Sequence, residues 1–246
     1  MPNSLLSIII PAYNEEKRLP ETLSKIQRFL AGQTYSYEVL VVENGSNDRT
    51  LEIARQFAAE QPRFHALHLD GRGKGLAVQA GMLATHGEYR FICDADLSMP
   101  IEEVNRFIPP LKPEGEIIIG SREAPGAVRY NEPAYRHLSG RAFNWVVRQM
   151  ALPGLRDTQC GFKCFKGCVA ERIFPLQTIH GWTFDVEVLY IARRMGYRIV
   201  EMPVPWYFNT ESKVHLLRDL RQVIRDLLII RRNARRGVYD VSTAPS

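Results

Sequence analysis

The chain has 246 residues, of which 45 % are hydrophobic and 24 % are charged. These fractions are those of an ordinary globular protein, so they argue against a disordered or membrane-embedded chain, and the length suits one large α/β domain. The net charge of +5 is concentrated: residues 213–236 carry eight basic and two acidic side chains, and the rest of the chain sums to −1. This distribution predicts an anionic partner for the C-terminal segment.

Short β-rich runs alternate with amphipathic segments between residues 4 and 120. The predicted strands are SLLSIII, YEVLVV, FHALHL, YRFIC and EIIIG, and the predicted helices cover residues 20–30, 48–59, 76–85 and 101–111. This alternation is typical of βαβ units, and the continuous apolar runs VLVV and IIIG suit strands that are covered on both faces. We therefore predict an α/β fold with a doubly wound, mostly parallel sheet and helices on both faces.

The pattern changes after residue 121. A loop rich in Gly, Pro and Arg is followed by a predicted helix over 134–150, the stretch DTQCGFKCF, a helix over 181–197 and a strand over 198–206. We interpret residues 1–236 as a single domain, with a first half at 1–122, a second half at 123–212 and a basic amphipathic helix at 213–236. Residues 237–246 form a tail.

Polar loops follow all five predicted strands: PAYNEE, ENGSND, DGRGKG, DADLS and SRE. In doubly wound sheets ligands bind outside the carboxyl ends of the strands, so these loops predict a nucleotide site at one edge. DGRGKG offers the backbone N–H groups of Gly71, Gly73 and Gly75 together with the cation Lys74, which suits anionic oxygens. Its spacing fits neither a P-loop nor a dinucleotide fingerprint.

Asp94 and Asp96 lie one residue apart directly after a predicted strand, and no Lys or Arg adjoins them in the sequence. Both carboxylates can face one point, which predicts a site for Mg²⁺ or Mn²⁺, since these cations prefer oxygen ligands and keep only one or two protein carboxylates. The alternative is that the acids cap a helix beginning near Met99.

The remaining composition signals concern the cellular compartment. The four cysteines, Cys93, Cys160, Cys164 and Cys168, contain no C-x-x-C pair, and we interpret them as reduced structural thiols rather than a zinc site. The longest uncharged apolar stretch, LLSIIIPAY, is far shorter than the roughly 20 residues that span a bilayer. We expect a cytoplasmic protein without a signal peptide or transmembrane helix.

These motifs resemble a known family when taken together. PAYNEE, ENGSNDRT, RGKG, DADLS and GSR occur in the order typical of family 2 glycosyltransferases with the GT-A fold. DTQCGFK, WTFDVE and SKV before a basic helix resemble the dolichyl- and polyprenyl-phosphate glycosyltransferase branch, most closely its β-glucosyltransferases. The resemblance covers about residues 7–232. The chain departs from the family in having Glu43-Asn44-Gly45-Ser46 in place of Asp-Asp-Gly-Ser, and in lacking the amino-terminal membrane helix of the eukaryotic glucosyltransferases.

The resemblance implies that residues 1–122 are the nucleotide-sugar-binding half and residues 123–212 the acceptor-binding half. It also implies a donor site around the nucleobase, ribose and diphosphate. Asp96 is expected to be the more direct metal ligand, with Asp94 serving the ribose, the diphosphate and the metal. The remaining predicted donor-binding residues are Pro11, Tyr13, Glu15, Glu43, Asn44, Lys74 and Ala95.

The acceptor determines which other groups the reaction needs. A lipid phosphate is already ionised at neutral pH, so it requires cations to bind it rather than a base. Arg122 is the first choice for this role and a catalytic candidate, and the other candidates are Arg129, Arg136, Arg141 and Lys213. Asp185 is expected near the site, where it could act as a general base, orient the acceptor or cap a helix.

The expected function is inverting transfer of a hexose, with UDP-glucose favoured as donor, to a dolichyl or polyprenyl phosphate on the cytoplasmic membrane face. The alternatives are a GDP-mannose-dependent transferase to the same acceptor, and transfer to a sugar hydroxyl with Asp185 as base. A non-catalytic receiver-like module would need an acidic pair after the first strand. A nucleotidyltransferase would need a basic, Gly-rich loop there, where this chain has PAYNEE.

The C-terminal helix has two interpretations. Leu216, Leu220, Val223, Leu227 and Ile230 recur every three or four residues, with Leu217, Ile224 and Leu228 beside them and arginines over much of the remaining surface. Such a helix suits an anionic membrane interface, or it docks on the core with a solvated basic face. Aromatic residues for stacking on bases are scarce in it, so we expect no nucleic-acid partner.

Overall fold

The computed structural model describes residues 4–208 and 216–240. Its strands are β1 (Leu6–Ala12), β2 (Tyr37–Asn44), β3 (Phe64–Leu69), β4 (Tyr89–Ile92), β5 (Ile117–Ser121), β6 (Val128–Tyr130), β7 (Lys163–Lys166), β8 (Ile199–Pro203) and β9 (Pro205–Tyr207). Its α-helices are α1 (Leu19–Ala31), α2 (Thr50–Glu60), α3 (Lys74–Ala84), α4 (Ala134–Met150), α5 (Gly167–Ile173), α6 (Phe184–Arg194) and α7 (Leu216–Arg235).

Within these residues seven strands form the main sheet, in the order β3-β2-β1-β4-β7-β5-β8. The pairs β2 with β3, β1 with β2, β1 with β4 and β5 with β8 are parallel. β7 runs antiparallel to both β4 and β5, so β4 and β5 point the same way. The predicted doubly wound, mostly parallel sheet is confirmed, while β7 (KCFK), which lies between β4 and β5, was not predicted.

The apolar runs of the strands fill a core on both faces of the sheet. Successive side chains of a strand point to opposite faces. Ile9 therefore packs in one buried cluster with residues of α3 and α6, and Ile8 and Ile10 pack in the other with residues of α1. A strand covered on both sides needs apolar residues at consecutive positions, which explains why β1 contains the unbroken sequence SIII.

Several predicted boundaries needed correction. The helix predicted over 101–111 is a 3-10 helix that ends at Phe107, and a cis peptide precedes Pro110. The strand predicted over 198–206 is divided at Val204 into β8, in the main sheet, and β9, which pairs with β6. The predicted helix over 134–150 has the same bounds as α4, and the one over 181–197 is shortened to α6.

The C-terminal helix α7 is docked on the core. Val223, Leu227 and Ile230 are at most 4 % exposed and belong to the same cluster as Ile9, so the docked interpretation is confirmed for this face. Leu228 and Ile224 lie elsewhere on the helix and are 55 % and 39 % exposed. Among the described residues, we find no helix with the length and apolar character needed to cross a bilayer.

Candidate active site

The carboxyl ends of β1, β2, β4 and β5 lie at one edge of the sheet, and side-chain contacts hold the loops that follow them together. Asn44, after β2, donates a hydrogen bond from Nδ2 to the carbonyl oxygen of Gly73 at 2.8 Å. Thr22 of α1 donates from Oγ1 to the carbonyl oxygen of Ala95 at 2.6 Å. Gly73 has a φ of +133°, and a Cβ there would lie 2.3 Å from the carbonyl oxygen of His180. Glycine is therefore required where this loop approaches the segment before α6.

The acidic pair lies at the centre of this edge. Asp94 Oδ1 is 2.6 Å from Nζ of Lys74, which begins α3, so the pair has a basic neighbour in space although it has none in the sequence. Asp96 Oδ1 accepts a hydrogen bond from the Ser98 backbone N–H at 2.9 Å, and neither acid caps the 3-10 helix. Burial, followed by repulsion from Asp94, raises the pKa of Asp96.

The two carboxylates fit a divalent cation of the Mg²⁺ or Mn²⁺ type. Their oxygens are hard ligands, and a cation between them would relieve the repulsion that raises the pKa of Asp96. In the part of the chain that the structure describes, no cluster of three or more His, Cys, Asp or Glu side chains could hold a metal ion. A cation bound here would therefore take its other ligands from water and substrate, as Mg²⁺ commonly does.

Gly161 makes room for the Asp94 carboxylate. A Cβ at this position would lie 1.9 Å from Asp94 Oδ2, well inside ordinary contact distance. Gly161 lies two residues before β7, so the unpredicted strand brings a glycine against the acidic pair. The sequence signal was the DTQCGFK motif, but its position beside β4 could not be read from the sequence.

Lys74 lies close to two acids, Asp94 and Asp185. It contacts Asp94, and its Nζ lies 5.3 Å from the centre of the Trp182 ring. Burial would lower the pKa of Lys74, but the charges of Asp94 and Asp185 outweigh that effect and raise it. The side chain is therefore a fixed cation at neutral pH, close to the predicted metal site.

Asp185 is the next buried acid of this region. Its Oδ1 is 2.6 Å from Nζ of Lys163 in β7, and Lys163 also donates to the carbonyl oxygen of Cys160. Burial raises the pKa of Asp185, and the charges of Lys163 and Lys74 oppose this rise. Asp185 lies in the first turn of α6 after Thr183, without a side-chain cap, so the helix-cap interpretation is wrong. Its role as a base or a positioning residue stays a prediction.

Arg122 is already engaged by an acid that the sequence did not single out. Its Nε and Nη2 donate to the two carboxylate oxygens of Asp157 at 2.7 and 2.9 Å, and its backbone N–H donates at 3.0 Å. Burial would raise the pKa of Asp157, but the charge and hydrogen bonds of Arg122 outweigh it and hold that pKa at about 2. The two parallel hydrogen bonds predicted for a phosphate go to a carboxylate instead. The role of Arg122 as a phosphate ligand stays a prediction, now for a guanidinium that is already fixed by Asp157.

The other predicted acceptor residues differ in their surroundings. Arg129 contacts Glu123 at 2.5 Å and Glu132 at 2.6 Å, so its charge is compensated. Arg141, on α4, lines a cavity next to Glu123. The side chain of Arg136 and the whole of Lys213 lie outside the described residues.

Glu43, one of the predicted donor-binding residues, is a buried acid with two hydrogen-bond partners. Glu43 Oε2 is 2.6 Å from His68 Nδ1, and its Oε1 accepts a hydrogen bond from the Ser46 backbone N–H at 2.5 Å. Burial would raise the pKa of Glu43, but these hydrogen bonds outweigh it and lower the pKa. Glu43 is therefore an anion held in place by its own loop and by β3.

The remaining predicted donor residues lie in β1 and in the loop that follows it. Arg72 lies over the ring of Tyr13, with its guanidinium carbon 5.5 Å from the ring centre. The backbone N–H of Glu15 donates to Thr50 Oγ1 at 2.8 Å, which ties this loop to the start of α2. Pro11 is part of β1. Their roles in donor binding stay predictions.

A mostly parallel sheet whose carboxyl edge carries an acidic pair, a lysine and a glycine-rich loop defines the GT-A class of nucleotide-diphospho-sugar transferase folds. The family profile "Glycosyl transferase family 2" matches residues 7–173. The chain belongs to this family and is a glycosyltransferase, which removes the receiver-like and nucleotidyltransferase alternatives.

Curated relatives extend the match over nearly the whole chain. "Dolichyl-phosphate beta-glucosyltransferase" from Dictyostelium discoideum is 32 % identical over 98 % of this chain and 78 % of its own length. The Homo sapiens protein of the same name is 33 % identical over 94 % of this chain and 76 % of its own. "Glycosyltransferase AglD" from Haloferax volcanii is 34 % identical over 87 % of this chain, which spans 35 % of that protein.

Solved structures support the fold. Glucosyl-3-phosphoglycerate synthase from Mycobacterium tuberculosis, in complex with Mn²⁺, UDP-glucose and phosphoglyceric acid, has a TM-score of 0.64 and 19 % identity. The similarity covers 92 % of this chain and 79 % of that one. At this level of identity the similarity shows a shared GT-A fold.

Proposed function

We propose that this protein is a metal-dependent, inverting transferase that moves glucose from UDP-glucose to a dolichyl or polyprenyl phosphate. The observation that carries the proposal is the placement of Asp94, Asp96 and Lys74 together at the carboxyl edge of the sheet. The names of the curated relatives support glucose as the transferred sugar and dolichyl phosphate as the acceptor. The structural neighbour crystallised with Mn²⁺ and UDP-glucose supports this donor and a divalent metal.

The donor side has to stabilise the charge that builds on the departing UDP. Asp94 and Asp96 would hold the cation, which, when bound, supplies positive charge to the diphosphate. Lys74 is charged at neutral pH and is fixed beside Asp94, so it adds a second positive group without reorganising during the reaction. Gly73 and Gly75 leave backbone N–H groups at the start of α3, where anionic oxygens are favoured.

The acceptor side needs no proton transfer when the nucleophile is a phosphate. Its oxygens are already ionised near neutral pH, so the protein has only to bind and orient them. We therefore assign Asp185 a positioning role, through the ion pair with Lys163 that fixes the start of α6 against β7. Transfer to a sugar hydroxyl would instead make Asp185 an obligatory base.

Contact with the membrane is proposed for α7. The exposed apolar side chains Ile224, Leu228 and Ile229 lie on the same helix as Arg221, Arg225, Arg232 and Arg235. Apolar groups beside arginines suit the interface of an anionic membrane, here on its cytoplasmic side. The docked face and the membrane-facing side chains belong to different sides of one helix.

A transfer assay tests the donor, acceptor and metal together. The purified protein is incubated with UDP-glucose or GDP-mannose, with polyprenyl phosphate or the uncharged polyprenol, and with Mn²⁺ or EDTA. We expect lipid-linked glucose with UDP-glucose, polyprenyl phosphate and Mn²⁺, and loss of product with EDTA. The variant Asp96→Asn should fold normally and lose transfer.

Three outcomes would contradict parts of the proposal. Faster transfer from GDP-mannose than from UDP-glucose would show that GDP-mannose is the donor. Transfer to polyprenol would show that the acceptor group is a hydroxyl and not a phosphate. Full activity of Asp96→Asn or of the EDTA-treated enzyme would remove the metal from the mechanism.

A further inference from the structure

Glu187, the acid of the WTFDVE motif that has no role in the donor or acceptor chemistry above, is fully buried in α6. Its Oε2 accepts hydrogen bonds from the backbone N–H groups of Thr178 and Ile179 at 2.9 and 2.7 Å. Its Oε1 accepts from the hydroxyls of Thr178 and Tyr239 at 2.5 and 2.7 Å. These bonds fill the acceptor positions of a carboxylate, so Glu187 fixes the segment that contains Thr178 and Ile179.

Residues 177–180, here called the bracing segment, lie directly against the glycine-rich loop of the donor site. A Cβ at Gly75 would lie 2.7 Å from the carbonyl oxygen of Ile179. The backbone N–H of Leu76 donates to the carbonyl oxygen of His180 at 3.2 Å. Because two backbones in such close contact have no free space between them, the loop cannot shift unless the bracing segment shifts as well.

The side chain of Gln177 adds a direct hydrogen bond between the bracing segment and the loop. It is buried, and its Nε2 donates to the carbonyl oxygen of Gly75 at 2.9 Å and to that of Ile179 at 2.8 Å. Gly75 directly follows Lys74, whose ammonium is 2.6 Å from Asp94. The bracing segment therefore binds the chain one residue away from the cation of the donor site.

The C-terminal part of the chain holds the bracing segment from the other side. Tyr239 is buried and donates its hydroxyl to Glu187, and Asn233 in the last turn of α7 donates from Nδ2 to Thr178 Oγ1 at 3.0 Å. Burial, followed by the hydrogen bond to Glu187, raises the pKa of Tyr239, so its hydroxyl keeps the proton that it donates. A continuous series of contacts thus joins α7 to the start of α3.

We propose that Glu187 and Tyr239 are positioning residues of the donor site, which act through the bracing segment to hold the glycine-rich loop and Lys74 against the diphosphate of the donor. The inference rests on the proposed function. It adds that the C-terminal segment is needed for donor binding, independently of any contact of α7 with a membrane. Backbone N–H groups and a cation that are already in place bind a diphosphate more tightly, because no loop has to be ordered on binding.

The experiment separates positioning from a general loss of stability. UDP is titrated by calorimetry, in the presence of Mn²⁺, into the wild type, Gln177→Met, Tyr239→Phe and the double variant, with GDP titrated in parallel. The values of kcat, of KM for UDP-glucose and of KM for polyprenyl phosphate, and urea unfolding, are measured on the same preparations. Tyr35→Phe is the matched control. It also removes a 2.7 Å tyrosine hydrogen bond, to Asn105, but Tyr35 precedes β2 at the opposite edge of the sheet.

We expect Gln177→Met to raise Kd for UDP about tenfold, since it loses the hydrogen bond to the loop itself. Tyr239→Phe acts one step further away and should raise Kd about threefold. Both should lower kcat and leave KM for polyprenyl phosphate unchanged. Because the two variants act through one segment, their combined effect on Kd should be smaller than the product of the single effects. Tyr35→Phe should lose stability like Tyr239→Phe and bind UDP like the wild type.

Glu187 itself is tested by two substitutions. In Glu187→Gln the amide oxygen can accept from the two backbone N–H groups and the NH₂ group can donate to the two hydroxyls, so UDP binding should stay near that of the wild type. Glu187→Leu removes all the acceptors, and the folded protein should bind UDP at least about tenfold more weakly. If Glu187→Leu does not fold, the variants of Gln177 and Tyr239 decide the question.

Several results would overturn the positioning role. These are an unchanged Kd for UDP in the Gln177→Met, Tyr239→Phe double variant, and single effects that multiply independently. An equal rise of Kd in Tyr35→Phe would also overturn it, by showing that a general loss of stability is the cause.

The two proposals fail in different ways. If the wild type binds UDP or GDP but transfers no glucose to polyprenyl phosphate, the proposed function is wrong, and the titrations still decide the positioning role. If the wild type transfers glucose but the variants bind UDP as it does, only the positioning role is wrong. A wild type that binds neither nucleotide would overturn both.

Discussion

Replacing Gly161 by Ala tests whether the exact position of the Asp94 carboxylate matters for transfer. The new Cβ would lie 1.9 Å from Asp94 Oδ2, and ordinary contacts begin near 3.4 Å. The carboxylate is the free end of a short side chain, so it can rotate away at a cost of about 1 kcal/mol for an unfavourable rotamer. Alanine also restricts the unfolded chain, which offsets roughly 0.4–1 kcal/mol of that cost.

The effect on activity should be much larger than the effect on stability. Asp94 would have to move by about 1.5 Å, and a misplacement of 1 Å at a reacting centre can lower the rate about 100-fold. The Lys74 ammonium ends a long flexible side chain and can follow the carboxylate, so the ion pair itself is kept. We therefore expect kcat to fall about 100-fold while the free energy of unfolding changes by no more than about 1 kcal/mol.

The assay combines transfer rates with urea unfolding of the same preparations. Gly181→Ala is the matched control, because a Cβ at Gly181, in the loop before α6, meets no atom within 4 Å. The control should retain wild-type activity. Wild-type kcat in Gly161→Ala would refute the reasoning, because Asp94 would then have no required position. A loss of stability of several kcal/mol would equally refute it, by showing a structural role for Gly161.

Two further predictions concern buried ion and hydrogen-bond pairs. Asp157→Asn leaves Arg122 without its counter-ion and should lower the free energy of unfolding by about 3 kcal/mol at pH 7, measured by urea titration. The pKa of Asp157 is lowered from 3.8 to about 2, so the stability difference between wild type and variant should have its full size above pH 4 and shrink as the pH falls towards 2. A stability difference that does not depend on pH would contradict the role of the ionised Asp157 carboxylate. Tyr239→Phe removes the 2.7 Å hydrogen bond to buried Glu187 and should cost about 1–2 kcal/mol in thermal or urea unfolding, while unchanged stability would show that the C-terminal residues do not depend on this contact.

Hydrophobic runs made the order of the sheet elements predictable, because a strand buried on both faces has to be apolar at consecutive positions. β1 to β5 were all predicted from short β-rich runs, of which β2 and β5 contain the continuous apolar stretches VLVV and IIIG. β7 was not, since KCFK is short and contains two lysines, one of which, Lys163, is buried only because Asp185 and a backbone carbonyl receive its charge. From the sequence alone a buried lysine is predicted to be exposed, because its partner is not known.

The candidate site was predictable as a set of loops but not as a set of contacts. Asp94, Asp96 and Lys74 were singled out correctly as neighbours of one edge, because the carboxyl ends of parallel strands meet there. Asp157 and Gly161 were missed, since a single Asp and a single Gly in a loop have no local signature. The pairing of Arg122 with Asp157 could not be predicted for the same reason, because the partner comes from a distant part of the chain.

The sequence by itself determined the α/β alternation, the family resemblance and the residue types available for binding a cation and a phosphate. These features depend on local periodicity and on short motifs, which act over a few residues. Only the tertiary structure decided which charges are compensated, such as Lys74 by Asp94 and Arg122 by Asp157. Pairing of charges is a matter of distance and burial, and both are set by the packing of segments that lie far apart in the chain.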